Sequence, residues 1–335
     1  FFLEQLIEMG GSDLHIVAGD NAKVRKDGLL VPLGPDTVTP EDSRGFCYSV
    51  LTEEQKCFFE EHKEIDFSFS VKGLSRFRGN LYIQRGSVAG AFRAIPFEIK
   101  SIEELKLPKI VHSLIDVTPG LILVTGATGS GKSTTLASMI QEINRKHKVH
   151  ILTIEDPIEF VYRHNKSTIS QREVGFDTFE FSKALKYAMR QDPDVVMIGE
   201  VRDLETIRTC LTVAETGHLV FATLHTNSAM QTISRIVDVF PPEQQSQIRL
   251  QLSFVLKGVL SQTLLPKISG GRILAMEILI NTRPISNLIR ENKLQQIESQ
   301  MESGSKFGMI SMKQCVHKLY AQEFISKNIL DMHLK

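Results

Sequence analysis

Gly126-Ala127-Thr128-Gly129-Ser130-Gly131-Lys132-Ser133 is a complete G-x-x-x-x-G-K-S run standing directly after the apolar stretch Leu121-Ile122-Leu123-Val124. The pattern predicts a nucleoside triphosphate site: glycines let the backbone wrap phosphates, the lysine pairs with the outer phosphates and the serine hydroxyl sits on Mg²⁺. Such a loop works only between a buried strand and a helix whose first amides point at the anion. Both neighbours are legible. Residues 121–125 read as a short buried parallel strand, and Leu136, Met139, Ile140 and Ile143 recur at helical spacing after Lys132. The nucleotide-binding set is Gly126, Ala127, Thr128, Gly129, Ser130, Gly131, Lys132, Ser133 and Thr134, with ATP and Mg²⁺ as ligands.

Working outward, apolar runs near 121–125, 149–154, 194–199 and 219–224 alternate with helical patterns near 132–146, 178–190, 203–215 and 229–238. Continuous apolar strands separated by amphipathic helices mean a parallel sheet covered on both faces. With a phosphate loop on its first strand, this is an α/β, RecA-like P-loop core. Further strands, or a short helix–strand mix, are expected over 253–265 and 272–280, and helices fill 282–335. Residues 1–97 read as a smaller α+β domain. It has a helix over 1–9, strands near 14–17 and 24–33, helices around 41–50 and 52–61, and an antiparallel meander over 64–70, 75–84 and 88–95. Residues 98–108, in a proline-bracketed stretch of weak periodicity, are expected to be an interdomain linker, and 109–335 the ATPase domain.

Composition narrows the partners. Lys+Arg and Asp+Glu balance at 39 each over 335 residues, so no global charge recommends bulk nucleic acid or an anionic membrane. Cys47, Cys57, Cys210 and Cys315 form no C-x-x-C pair and no metal-ligand spacing, which favours reduced thiols over disulfides or zinc. No apolar run approaches the roughly 18 residues that span a bilayer, and no signal segment opens the chain, so a cytoplasmic protein without a membrane span is expected.

Hydrolysis also needs carboxylates for Mg²⁺ and water, and a group that senses the outer phosphate. Each is available at a strand end. Asp194-Val195-Val196-Met197-Ile198-Gly199-Glu200 puts Glu200 at the carboxyl edge, where open α/β sheets bind ligands, and marks it to orient or activate water. The usual pattern has an aspartate where this chain has Gly199, which leaves Mg²⁺ to Ser133, to waters or to Glu200. After 149–154 come Glu155, Asp156 and Glu159 around Pro157. Glu155 and Glu159 are candidates for the site, and Asp156 for a structural turn. His225 follows 219–224 and can reach a γ-phosphate or its water; His218 precedes that strand, and a satisfied core or surface histidine explains it equally. Between Phe67 and Phe97 there is no acidic residue. There Arg76 and Arg78 share one strand face opposite the apolar Phe77, Leu81 and Ile83, which suits either a phosphate bound by a neighbouring subunit or a solvated basic face.

Together, the phosphate loop, the acidic box 154–159, the run Arg190-Gln191-Asp192-Pro193-Asp194 through Gly199-Glu200-Val201-Arg202-Asp203, and the histidine box from Thr216-Gly217-His218 to His225-Thr226-Asn227-Ser228-Ala229 resemble the secretion ATPase superfamily. The resemblance extends to Gly10-Gly11-Ser12-Asp13-Leu14-His15. Without a four-cysteine zinc subdomain, and with Pro284-Ile285-Ser286-Asn287-Leu288-Ile289-Arg290-Glu291 near the family's A-I-R-N-L-I-R-E element, the chain is most similar to the pilus-retraction branch. That resemblance implies a PAS-like N-terminal domain and a homohexamer with ATP at subunit junctions, Arg76 and Arg78 approaching nucleotide. It further implies an inner-membrane platform partner at the cytoplasmic face, a paralogous retraction ATPase as a further partner, and no nucleic acid. A nucleic-acid-stimulated translocase on the same core and a non-motor accessory paralogue are the alternatives.

Overall fold

In the computed structural model, which describes residues 1–26, 28–95, 98–201 and 203–334, the strands fall into two sheets, one in each of two units. The first unit is Phe1–Glu98 with Glu159–Val161, the second Ile99–Ile158 with Tyr162–Lys335. The boundary expected at Phe97, like Arg202 of the run from Arg190 to Asp203, lies outside the described residues.

In the first unit, β1 (Asp13–Ile16), β2 (Asn21–Lys26), β3 (Leu29–Thr37), β4 (Glu64–Val71), β5 (Ser75–Gln84) and β6 (Ser87–Ile95) form an antiparallel sheet in the order β3-β2-β1-β6-β5-β4. Phe59, Phe67, Phe77 and Phe92 fill the core between the sheet and its helices. Each such ring contributes about 1.5–3 kcal/mol by leaving water. Gly79 and Phe67 are cross-strand partners, and a Cβ on the glycine would lie 2.5 Å from that ring, so the packing requires a bare backbone there. Thr39 with Asp42 and Thr52 with Gln55 close capping boxes on the helices Pro40–Ser49 and Glu53–His62, each cap stabilising its helix by about 1 kcal/mol. The single strand expected over 24–33 is two: β2 and β3 pair as a hairpin, Val24 opposite Val31, with Gly28 at φ +84° in the turn. Ile83, expected to extend the inward stripe of β5, is exposed.

The second sheet comprises β7 (Gly120–Thr125), β8 (His150–Glu155), β9 (Thr168–Glu173), β10 (Val195–Ile198), β11 (Leu219–Leu224), β12 (Leu256–Pro266) and β13 (Arg272–Ile280), in the order β13-β12-β7-β11-β10-β8-β9. All neighbours are parallel except β12 and β13. Every residue of β7, β10 and β11 is buried, which is why their sequences read as unbroken apolar runs. Leu121 and Leu123 enter a core shared with the helices Leu204–Glu215, Ala229–Asp238, Pro242–Val255 and Arg283–Arg290. Helix Lys132–Lys146 also packs on β7, burying Leu136, Met139, Ile140 and Ile143. In Arg283–Arg290, Ile285 and Ile289 are fully buried and Leu288 is partly so.

β9 and the helix Pro242–Val255 are additions to the sequence reading. The former alternates weakly, and the latter is polar around most of its circumference. Residues 98–108 hold a turn in which the Ser101 and Glu104 side chains satisfy each other's amides, and Ile102 and Leu107 are buried. Among the described residues no helix is long and apolar enough to cross a membrane.

Candidate nucleotide site

The parallel strands bring their carboxyl ends to one edge of the second sheet, where such sheets bind ligands. β7 runs into the phosphate loop, β11 ends before His225, β10 before Gly199 and Glu200, and β8 ends at Glu155. In the loop, Gly126 (φ 142°), Gly129 (φ 79°) and Gly131 (φ 90°) hold backbone angles that L side chains rarely adopt. Residues 127–129 and Ser133 are exposed, and Thr134 is half-buried. Gly131, the residue before helix Lys132–Lys146, offers no side-chain acceptor to its first amides, so they stay available to an anion.

Two polar groups fit a phosphate ligand. Ser130 Oγ is buried with no hydrogen-bond partner among the described residues. The Lys132 ammonium donates to the carbonyls of Gly126 and Ala127, at 2.8 and 3.1 Å, covering the concavity that outer phosphates would take. Burial pulls the Lys132 amine below its usual value, and the charge of Glu200 opposes that shift, so this carboxylate acts on the loop's lysine.

Glu200 Oε1 lies 3.2 Å from His225 Nε2, a pair made by neighbouring strand ends. Gly199 explains itself by packing. Its amide donates to the Ile154 carbonyl at 2.8 Å, its own carbonyl accepts from the Thr223 hydroxyl, and a Cβ would sit 3.2 Å from Glu155 Cα. An aspartate there would crowd the end of β8. The loop after His225 is fixed by Thr226 Oγ1 on Thr232 Oγ1 at 2.7 Å and by Ser228, whose hydroxyl accepts from the Gln231 amide at 3.2 Å.

The acidic box divides by environment. Glu155 is buried and accepts from Thr153 Oγ1 at 2.7 Å and Gln171 Nε2 at 3.3 Å; Asp156 is exposed. Glu173, which sequence reasoning passed over, is buried and accepts from the Ile158 amide at 3.0 Å, anchoring the turn. Glu159 falls in the first unit, as do Arg76, half-buried, and Arg78, exposed. Arg78 stands in register with Arg93, whose Nε donates to Asp13 Oδ1 at 2.8 Å. His218 sits at the amino end of β11, the opposite edge of the sheet from the loop, roughly 17–20 Å along a strand of this length. Its Nδ1 is 3.0 Å from the Val213 carbonyl, which requires that nitrogen to carry the proton.

Residues that brace the loop also escaped the sequence reading. Gln262 Nε2 donates to the Ser130 carbonyl at 2.9 Å, and Ser261 Oγ meets Thr125 Oγ1 at 2.5 Å. The only local signal is Ser261-Gln262-Thr263 interrupting the apolar run of β12.

Comparison with known proteins adds four likenesses. A family described as type II/IV secretion system protein matches residues 95–272. The type IV pilus retractation ATPase PilT of Pseudomonas aeruginosa is 48% identical over 320 residues, 96% of this chain and 93% of that protein. The type IV pilus ATPase PilU of the same organism is 41% identical, over 96% of this chain and 84% of its own length. Among solved structures, the pilus retraction motor PilT with bound ADP superposes with a TM-score of 0.92 at 53% identity, covering 98% of this chain and 94% of that one.

Proposed function

The chain belongs to the type II/IV secretion system protein family, and from that premise we propose that it is an ATP-hydrolysing motor that powers type IV pilus retraction. The observation that carries this reading is the Glu200–His225 pair at 3.2 Å, on the edge that holds the phosphate loop, in a chain similar over nearly its whole length to a retraction ATPase.

ATP phosphates would displace the Lys132 ammonium from the Gly126 and Ala127 carbonyls and draw it onto their own oxygens. The loop amides and the first turn of Lys132–Lys146 supply the remaining donors. Glu200 orients and deprotonates the attacking water, and His225 holds that carboxylate and senses the γ-phosphate. Ser133 and Glu200 are the residues suited to hold Mg²⁺, which when bound neutralises charge on the β- and γ-oxygens. Glu155, buried among hydroxyl and amide donors, shapes the β8 turn. Arg76 and Arg78 act on nucleotide bound by the next subunit of a homohexamer, and closure around that ring drives an inner-membrane platform protein at the cytoplasmic face, with a paralogous retraction ATPase as a further partner.

The test is ATP hydrolysis on size-resolved protein with and without Mg²⁺ and DNA, wild type beside Lys132→Ala and Glu200→Gln. Expected are Mg²⁺-dependent turnover in a hexamer-sized species, indifferent to DNA, nucleotide binding lost in Lys132→Ala, and turnover reduced about 10²–10⁴-fold in Glu200→Gln with binding kept. Activity only with DNA would replace the motor with a translocase, and no activity in any oligomer would leave an accessory paralogue.

A further inference from the structure

Glu277, on β13, is a buried carboxylate that the proposed chemistry does not use. Its Oε1 accepts from the Ala229 amide at 2.6 Å, the first amide of the helix that follows the His225 loop. Its second backbone donor is the Met312 amide, which opens the helix Met312–Ala321. Two helix amino termini, each a partial positive charge, thus meet on one carboxylate. Laterally, Glu277 is the register partner of Ser261, and Ser261 is the partner of Thr125, the last residue of β7 before the phosphate loop. Thr125, Ser261 and Glu277 form a buried polar row across three strands, with the Thr125–Ser261 hydroxyls in contact at 2.5 Å.

An isolated carboxylate is an expensive group to bury, and helix Ala229–Asp238 already has the Ser228 hydroxyl as its cap. The carboxylate's reach is therefore directed at where this helix begins relative to β13. Burial raises the Glu277 acid above its usual range against the two amides, and Glu298 adds to the rise.

We propose that Glu277 is a positioning residue for hydrolysis. It fixes the start of helix Ala229–Asp238, and so the loop that carries His225, to the strand pair that braces the phosphate loop, and it ties the start of helix Met312–Ala321 to the same point. The inference rests on the reading of His225 given above. Without the carboxylate, the segment 225–228 keeps its own cap but loses its registration, so His225 meets Glu200 in fewer molecules.

The experiment is amide hydrogen exchange with ATP turnover on the full chain, comparing wild type, Glu277→Gln, Glu277→Ala, His225→Ala and the double variant Glu277→Ala/His225→Ala. We expect amides of 229–233 to exchange at least about tenfold faster in Glu277→Ala, those of 134–143 to stay unchanged, and Glu277→Gln, which keeps a carbonyl acceptor, to fall between. Turnover should drop about tenfold with KM within about twofold, and the double variant should be no slower than His225→Ala. Unaltered exchange at 229–233, uniform acceleration everywhere, or losses that multiply in the double variant would overturn the inference. If Glu277→Ala does not fold, the same comparisons on Glu277→Gln decide. A wild type without ATPase activity whose exchange follows the expected pattern would sink the motor reading and leave the anchoring role standing.

Discussion

The same substitution at two glycines of one loop should have very different consequences. At Gly126, φ is 142° and a Cβ would stand 2.3 Å from the Gln262 carbonyl oxygen and 2.6 Å from Ser130 Oγ. That carbonyl belongs to β12, held by β13 at Gln262 and by β7 up to Ser261, so retreating by the ångström required would disrupt the ladder. At Gly129, φ is 79° and nothing lies within 4 Å of the added atom. Backbone strain of about 1–3 kcal/mol with about 1–3 kcal/mol of overpacking puts Gly126→Ala near 4 kcal/mol, whereas Gly129→Ala carries only the left-handed penalty of about 1 kcal/mol. For a unit of this size, these correspond to falls in Tm of about 8–16 °C and about 2–4 °C. Differential scanning calorimetry, without nucleotide and with saturating ADP, is the assay. ADP at about a hundred times its Kd should raise the Tm of wild type and Gly129→Ala by several degrees, in line with about 2.7 kcal/mol of linkage, and should leave Gly126→Ala unmoved. Equal falls in the two variants would refute the packing argument and reduce both glycines to generic loop flexibility.

Two further outcomes are expected. Gln262→Leu leaves the Ser130 carbonyl without its buried donor and should cost about 1–3 kcal/mol, read as a Tm lower by a few degrees and a weaker affinity for ADP; an unchanged affinity would remove Gln262 from the loop's support. Thiol titration of the native chain with an aromatic disulfide at pH 8 should modify the exposed Cys57 rapidly and spare Cys47 and Cys210 until denaturant is added. Both are buried, with the Cys47 thiol pushed up to about 12 and Cys210 also raised, so fast labelling of three thiols would contradict the core.

Sequence reading reached furthest where one local rule decided the structure. Leu121–Val124 followed by glycines, and the apolar spacing after Lys132, needed no knowledge of distant residues, and Glu200 and His225 could be located because each closes an apolar run. What escaped depends on pairing across the chain. β9, Thr-Ile-Ser-Gln-Arg-Glu, has one clearly apolar residue and becomes a strand because β8 supplies its ladder. The hairpin inside 24–33 hides behind apolar residues on both sides of its turn. Pro242–Val255 carries glutamines and arginine over most of its surface and is held by Ile248, Leu252 and Val255. Gln262 and Glu277 look like polar faults in apolar strands until the register places one under the phosphate loop and the other beneath two helix starts. Gly199 resembles a missing metal ligand until the 3.2 Å approach of Glu155 Cα shows that any side chain there would press on the end of β8.

The bracing of the phosphate loop by β12 also has a consequence for synthesis. Gln262 follows Ser130 by 132 residues, and the hydroxyl contact from Thr125 spans 136. A ribosome adding about 5–20 residues per second therefore exposes a finished G-x-x-x-x-G-K-S segment for about 7–26 s before its support exists. During that interval the nascent chain carries the nucleotide motif without the wall behind it. Capture of nucleotide would begin only as β12 joins β7, which makes the arrival of residue 262, rather than that of the motif, the event that completes the site.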